Sequence, residues 1–194
     1  VASIEALDHN LGEYFPHMRR FSSTKALEAS SLYAGLKPEV ERILGCVVQG
    51  DLADGPPPAR PAIRATAWNI ERGIRLKDVL RVLKGHSLIR ESDFFLITEL
   101  DHGMARTQNR FVAHEMAKAL ELHYVFAPCY LSLVKGSGAE DRVEGENAQA
   151  LHGNAIFSRY PLRDAHMIPL PNGKDKMRGK EKRLGCQKVV IATA

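Results

Sequence analysis

The sequence predicts an α/β protein, and three observations carry that expectation. Short apolar runs alternate with amphipathic helical patterns between positions 63 and 131. The runs at 63–69 and 93–98 are separated by a single helical pattern, the strand–helix–strand order that pairs strands in parallel. After position 131 the order becomes strand, loop, strand, which predicts antiparallel pairing on the far side. Composition agrees. The 194 residues are 44% hydrophobic and 26% charged, enough for one domain with a real core or for one domain plus an appendage.

The elements follow in order. Positions 1–50 read as a helical N-terminal extension. Within it, 36–44 fits a helix with Pro38 in its first turn and Val40, Ile43 and Val47 on one face. Positions 51–61 carry Pro56, Pro57, Pro58 and Pro61, a density that neither a helix interior nor a central strand tolerates. They read as a stiff linker, with the main domain at 62–194. There, 63–69 is a strand, and 76–83 a helix with Val79, Leu80 and Leu83 on one stripe. The nearly continuous apolar run 93–98 reads as a strand buried on both faces. A helix is expected over 107–122, with Phe111, Val112, Met116, Ala119 and Leu120 inward. Strands follow at 123–131, 153–158 and 187–192, with a Gly- and charge-rich loop at 135–147 and a polar loop at 171–182. The apolar end, Val189 to Ala194, reads as an edge strand covered by a partner or by the N-terminal helices, or as a strand that a further one follows. The second reading makes the chain a fragment.

Bulk properties exclude little. No apolar run approaches a membrane span, and no basic-then-apolar leader opens the chain, so the default location is cytoplasmic. The net charge of +4 is compatible with a polyanionic partner without requiring one. Cys46, Cys129 and Cys186 are far apart and odd in number, which argues for free thiols rather than a disulfide framework. Oligomeric state is not legible.

The chemistry concentrates at two strand ends. Asn69 closes one apolar run and Glu99 closes the other. If the two strands are parallel neighbours, an amide and a carboxylate emerge side by side where α/β proteins place ligands. Magnesium prefers oxygen ligands and keeps several waters, so one carboxylate suffices when a phosphate completes the shell. That pairing points to metal-assisted phosphoester hydrolysis. Taken singly, Glu99 is a solvated strand-end carboxylate and Asn69 a turn former.

Three motifs, in this order, resemble the endonuclease/exonuclease/phosphatase superfamily. They are Trp68-Asn69-Ile70-Glu71-Arg72-Gly73, Thr98-Glu99-Leu100-Asp101 and Gly153-Asn154-Ala155-Ile156-Phe157-Ser158-Arg159-Tyr160-Pro161-Leu162. The segment 106–110, the Ala-rich helix after it and Tyr124-Val125-Phe126-Ala127 are similar to that family as well. The resemblance, over 63–194, implies the first half of a DNase I-like four-layer α/β sandwich with a divalent metal where two sheets meet. It implies Glu99 as the ligand to magnesium, with manganese as substitute, and Asn69 beside the metal and the scissile phosphate. It implies a phosphate-ester substrate, nucleic acid among the candidates, and in-line attack by water. The family's later groups have no match here: a His or Tyr in a strand reading roughly Thr-His-Leu, an Asp-x-Asn pair and an Asp-His pair. The general base is therefore missing from this chain, which is expected to be inactive alone.

Further candidates surround the pair. Asp101 and Arg106 can shape the rim of the metal site, or form a solvated loop ion pair. Asn154 can point to the active face from a strand start. Arg72 can reach a phosphate, or remain a solvated loop charge. His152 can titrate near neutrality, though a loop histidine with no partner is the plainer reading. His114-Glu115-Met116-Ala117-Lys118 begins like a zinc-protease helix, but Lys118 stands at the second histidine's place. The glycines at 136 and 138 belong to a surface loop. Lys174, Lys176, Arg178, Lys180, Lys182 and Arg183 form a basic loop with no aromatic to stack on bases. That loop carries the alternative reading, a non-enzymatic module binding an acidic partner through 174–183.

Overall fold

The computed structural model describes residues 2–55, 57, 59 and 61–194. Part of the expected linker, Pro56, Pro58 and Arg60, lies outside the described residues. The architecture is mixed α/β, built on a central mixed sheet. Strand β1 (Val48–Gly50) pairs antiparallel with β4 (His123–Ser132). Strand β4 pairs antiparallel with β5 (Leu151–Ser158), and β5 with β3 (Phe94–His102). Strand β2 (Ala65–Arg72) lies parallel to β3 at the edge, giving the order β1-β4-β5-β3-β2. Beyond β1, β7 (Arg183–Gly185) pairs with the last residues of β4, while β6 (Arg163–Pro169) and β8 (Lys188–Thr193) form a separate antiparallel ribbon. Strand β8 lies against β5 and β4.

Helix α1 spans Phe15–Met18, α2 Thr24–Glu28, α3 Ser31–Gly45, α4 Leu76–Gly85 and α5 Val112–Leu120. Helix α4 buries Leu76, Val79 and Leu83, spaced three and four apart, and supplies the crossover between the parallel strands. Helix α5 buries Val112, Ala113, Met116 and Ala117 and packs on β3 and β4. It starts later than its pattern predicts. Gln108 and Asn109 take left-handed φ values of 59° and 55°, and Asn109 caps the loop opposite by bonding Glu146 and Ala148. These side-chain bonds compete with the helix.

The N-terminal fifty residues share one core with the rest. Leu7, Leu11, Met18, Leu27, Val40 and Ile43 belong to the same buried cluster as Phe126, Leu131 and Met177. Polar pins reinforce this. Asp175 accepts from the Thr24 amide and hydroxyl, and Lys182 donates to the carbonyls of Arg19 and Phe21. Pro38 sits inside α3 rather than in its first turn. Ala34 and Pro38 are exposed, so the carbonyl that loses its helical donor faces water. The helix ends at Gly45, and Val47 is not on its face; Val48 is buried in β1 instead. Among the described residues, no helix is long and apolar enough to cross a membrane.

Two further departures matter for the site. Strand β3 is not buried on both faces: Phe95 and Ile97 are buried, but Leu96 is 43% exposed. Strand β3 also runs four residues past the expected end, through Asp101 and His102. The short β1 and β7 and the polar β6 carry too few apolar residues to register as strands in the sequence.

Candidate functional site

The parallel pairing places Asn69 beside Thr98, next to Glu99. Asn69 Nδ2 donates to Glu99 Oε1 at 2.8 Å. The amide oxygen of Asn69 accepts from the Glu71 backbone N–H at 2.9 Å. These two partners fix the amide orientation, since a flip would oppose oxygen to carboxylate and NH₂ to N–H. Asn69 therefore aims the carboxylate and commits its own oxygen to the backbone. The oxygen-ligand role expected of the pair falls to Glu99.

The backbone bends to make this contact. The register slips between Asn69 and Arg72 in β2 and between Ile97 and Leu100 in β3. Glu71, Arg72 and Glu99 adopt φ of 50°, 67° and 60°, the left-handed region that non-glycine residues avoid. A bulge leaves its extra residue out of the ladder. Here the Glu99 N–H is taken by Asn154 Oδ1 at 3.4 Å, and Asn154 Nδ2 donates to the Lys188 carbonyl at 3.0 Å. Three non-glycine residues with left-handed φ on two neighbouring strands, two of them held by side-chain amides, are the kind of backbone that functional sites carry.

A second cluster adjoins the first. Asp101 is fully buried and takes a two-pronged bond from Arg106, Nε to Oδ2 at 2.7 Å and Nη2 to Oδ1 at 2.8 Å. His152 Nδ1 lies 2.8 Å from Asp101 Oδ1. Arg106 Nη1 reaches on to Glu140 Oε2 at 3.1 Å, and Arg72 Nη1 bonds Glu140 Oε1. The His152 ring stacks on Tyr130 with centroids 4.6 Å apart, and the Arg183 guanidinium sits 4.2 Å from the Tyr130 ring centre. Burial pushes the Asp101 carboxyl up, but the bonds from Arg106 and His152 outweigh it and hold it below the ordinary carboxylate range. Burial likewise opposes the charge on Arg106, and Asp101 with Glu140 more than restores it, leaving the guanidinium firmly protonated.

Six of the residues singled out in the sequence thus fall in two clusters, Asn69, Glu99 and Asn154 in one and Arg72, Asp101 and Arg106 in the other. The alternative of a solvated Asp101–Arg106 pair is excluded by side-chain exposures of 0% and 4%. His152 is corrected as well. It lies in β5, buried and partnered, rather than in a loop. Tyr130 and Glu140 carry no site signal in the sequence, and Arg183 reads there only as part of the basic loop; the β3–β5–β4–β7 pairing brings Tyr130 and Arg183 to His152, and the loop after β4 brings Glu140 to Arg106. Gly153 makes the close pairing feasible: a Cβ there would sit 2.2 Å from the Ala127 carbonyl oxygen and 2.7 Å from the Phe126 ring.

One neighbour tunes stability rather than chemistry. His102 follows Asp101, packs 4.2 Å from the Phe111 ring centre, and neither ring nitrogen has a hydrogen-bond partner among the described residues. Burial, with a smaller contribution from His9, lowers its pKa to about 4. The unfolded chain binds this proton near pH 6.5 and the folded chain does not, so stability falls as pH drops from 6.5 towards 4. The loss amounts to about 3 kcal/mol. Urea unfolding at several pH values is expected to show this slope, and His102→Leu is expected to flatten it.

Among the described residues, no group of three or more His, Cys, Asp or Glu side chains could hold a metal ion. The donor set at Glu99 is one carboxylate, which suits a magnesium ion that keeps its waters and takes a substrate phosphate, and does not suit a closed protein cage. Comparison with known proteins finds no matching family model, no matching curated protein and no matching solved structure.

Proposed function

We propose that this chain carries the metal-binding site of a metal-dependent phosphoester hydrolase of the endonuclease/exonuclease/phosphatase type. The observation behind the reading is the Asn69–Glu99 contact at the ends of two parallel strands, on a backbone strained at Glu71, Arg72 and Glu99. Glu99 would hold a magnesium ion, or manganese in its place, through the carboxylate that Asn69 orients. The ion would act as a Lewis acid on a bound phosphate oxygen. Arg72 and Arg106, which converge on Glu140, would supply positive charge to the substrate. In the four-layer sandwich that the resemblance implies, the central sheet and the β6–β8 ribbon would be the first parts of the two sheets. The test is mutual tightening of two ligands. Calorimetry of this chain is expected to show saturable magnesium binding that strengthens when dimethyl phosphate is present, because the phosphate completes the ion's shell. Absence of saturable magnesium binding under both conditions contradicts the proposal.

One observation favours a second reading. Lys174, Lys176, Arg178, Lys180 and Arg183 line one open cavity of about 840 Å³. A module that binds an acidic partner there would lose affinity steeply with salt. It would be indifferent to magnesium and to substitution of Glu99.

A further inference from the structure

Among the described residues, Glu140 accepts hydrogen bonds from two site arginines, Arg72 and Arg106. It comes from the loop after β4, within a single turn of 3-10 helix at Glu140–Arg142. One carboxylate oxygen faces Arg72 Nη1 and the other faces Arg106 Nη1. Arg106 has no freedom in this, since its Nε and Nη2 edge is spent on buried Asp101. The remaining Nη1 is aimed at the point where Glu140 sits. Two guanidiniums converging on one pair of oxygens is the geometry by which arginines hold a phosphate.

We propose that Arg72 and Arg106 form a phosphate seat that Glu140 fills in the resting protein, and that a phosphodiester displaces the Glu140 carboxylate from it. Identifying the ligand as substrate rests on the phosphoesterase reading above; the seat itself does not.

Three features support displacement over a permanent ion pair. The seat opens on its Arg72 side, because the Arg72 and Glu140 side chains are 24% and 15% exposed, whereas Arg106 and Asp101 behind them are 4% and 0%. The loop carries Glu140 on its own internal scaffold. Lys135 ties it internally by donating to the Val143 and Gly145 carbonyls, and Gly136, Gly138 and Gly145 at its bends all have positive φ. Gly136 is also the floor under Glu140, since a Cβ there would lie 2.2 Å from Glu140 Oε2 and 2.6 Å from its Cβ. Any larger residue would push the carboxylate out.

Charge names the ligand class. At the seat, the ion pairs join Arg72 and Arg106 to Asp101 and Glu140, two cations against two acids. Removing Glu140 opens a deficit of one negative charge, which a phosphodiester monoanion fills. A dianionic monoester would overfill it in a partly buried site.

The test measures binding in EDTA, so that neither metal nor turnover enters. Titration of dimethyl phosphate into the 194-residue chain, followed by amide chemical shifts, is expected to give weak binding to the wild type. Binding should be at least tenfold tighter to Glu140→Ala, and lost again in Glu140→Ala/Arg72→Ala. Neutral trimethyl phosphate should show no gain in the variant. Glu140→Gln keeps the shape and removes the charge, and it decides the matter if the alanine variant fails to fold. Folded Glu140 variants that bind dimethyl phosphate no more tightly than the wild type overturn the seat. Tighter metal-free binding together with absent magnesium binding would instead uphold the seat and defeat the phosphoesterase reading.

Discussion

Asp101→Ala is expected to destabilise the protein by about 3–5 kcal/mol in urea unfolding, the cost of breaking a buried ion pair from one side. For a chain of this size that corresponds to a drop in Tm of about 6–20 °C. Asp101 is fully buried and holds three bonds, two from Arg106 and one from His152. Its removal leaves a guanidinium at 4% exposure with Glu140 as its sole remaining acid partner in hydrogen-bond contact among the described residues. The coupling is separable from simple cavity formation. Asp101→Ala/Arg106→Met removes both charges and is expected to recover much of the loss, as buried pairs replaced by apolar side chains do. A single variant within about 1 kcal/mol of wild type would show that the pair is not the anchor of this cluster. The same pair gives the acid limb its sign. Asp101 contributes stability above its unfolded pKa and loses it as pH falls through its lowered folded value, below the window governed by His102.

Glu99→Gln is expected to weaken magnesium binding by about 10–100-fold, with little change in thermal stability. That range is what loss of an outer-shell partner costs a metal site, and loss of the charged ligand should cost no less. Glutamine keeps the volume and an oxygen that can still accept from Asn69 Nδ2, so the bulge need not relax. Asn69→Ala is expected to act in the same direction but less, because it frees the carboxylate without removing its charge. Equal magnesium affinity in Glu99→Gln and wild type would detach the ion from this strand end.

What the sequence made legible was local. The stripe of Val79, Leu80 and Leu83 and the apolar runs on either side of it were enough to place α4 between two parallel strands, and with them Asn69 beside Glu99, although Leu76 takes the buried place expected of Leu80. Everything that depends on strand order was hidden. Asp101 meets His152 only through the antiparallel β3–β5 register, which pairs those two residues directly. A register of that kind is set by the whole sheet and not by either strand's own pattern. Glu140 reaches the site from a loop whose composition says only that it is polar, and Arg183 reads in the sequence as one more basic-loop cation although it opens β7. The Pro38 helix shows the opposite error. A local rule placed proline in a first turn, and the burial of Tyr33, Val40 and Ile43 carried the helix through it. The strained φ values at Glu71, Arg72 and Glu99 had no sequence signal at all, since none of the three is glycine.

The most direct test of the central claim is where a divalent ion sits. Manganese is a paramagnetic substitute for magnesium, and titrated at substoichiometric levels it broadens NMR signals close to the bound ion. The account predicts selective loss of the Asn69 side-chain NH₂ signals and of the Glu99 and Leu100 backbone amides, all of which persist in Glu99→Gln. Uniform broadening, or broadening centred on the acidic residues of another surface, would contradict it.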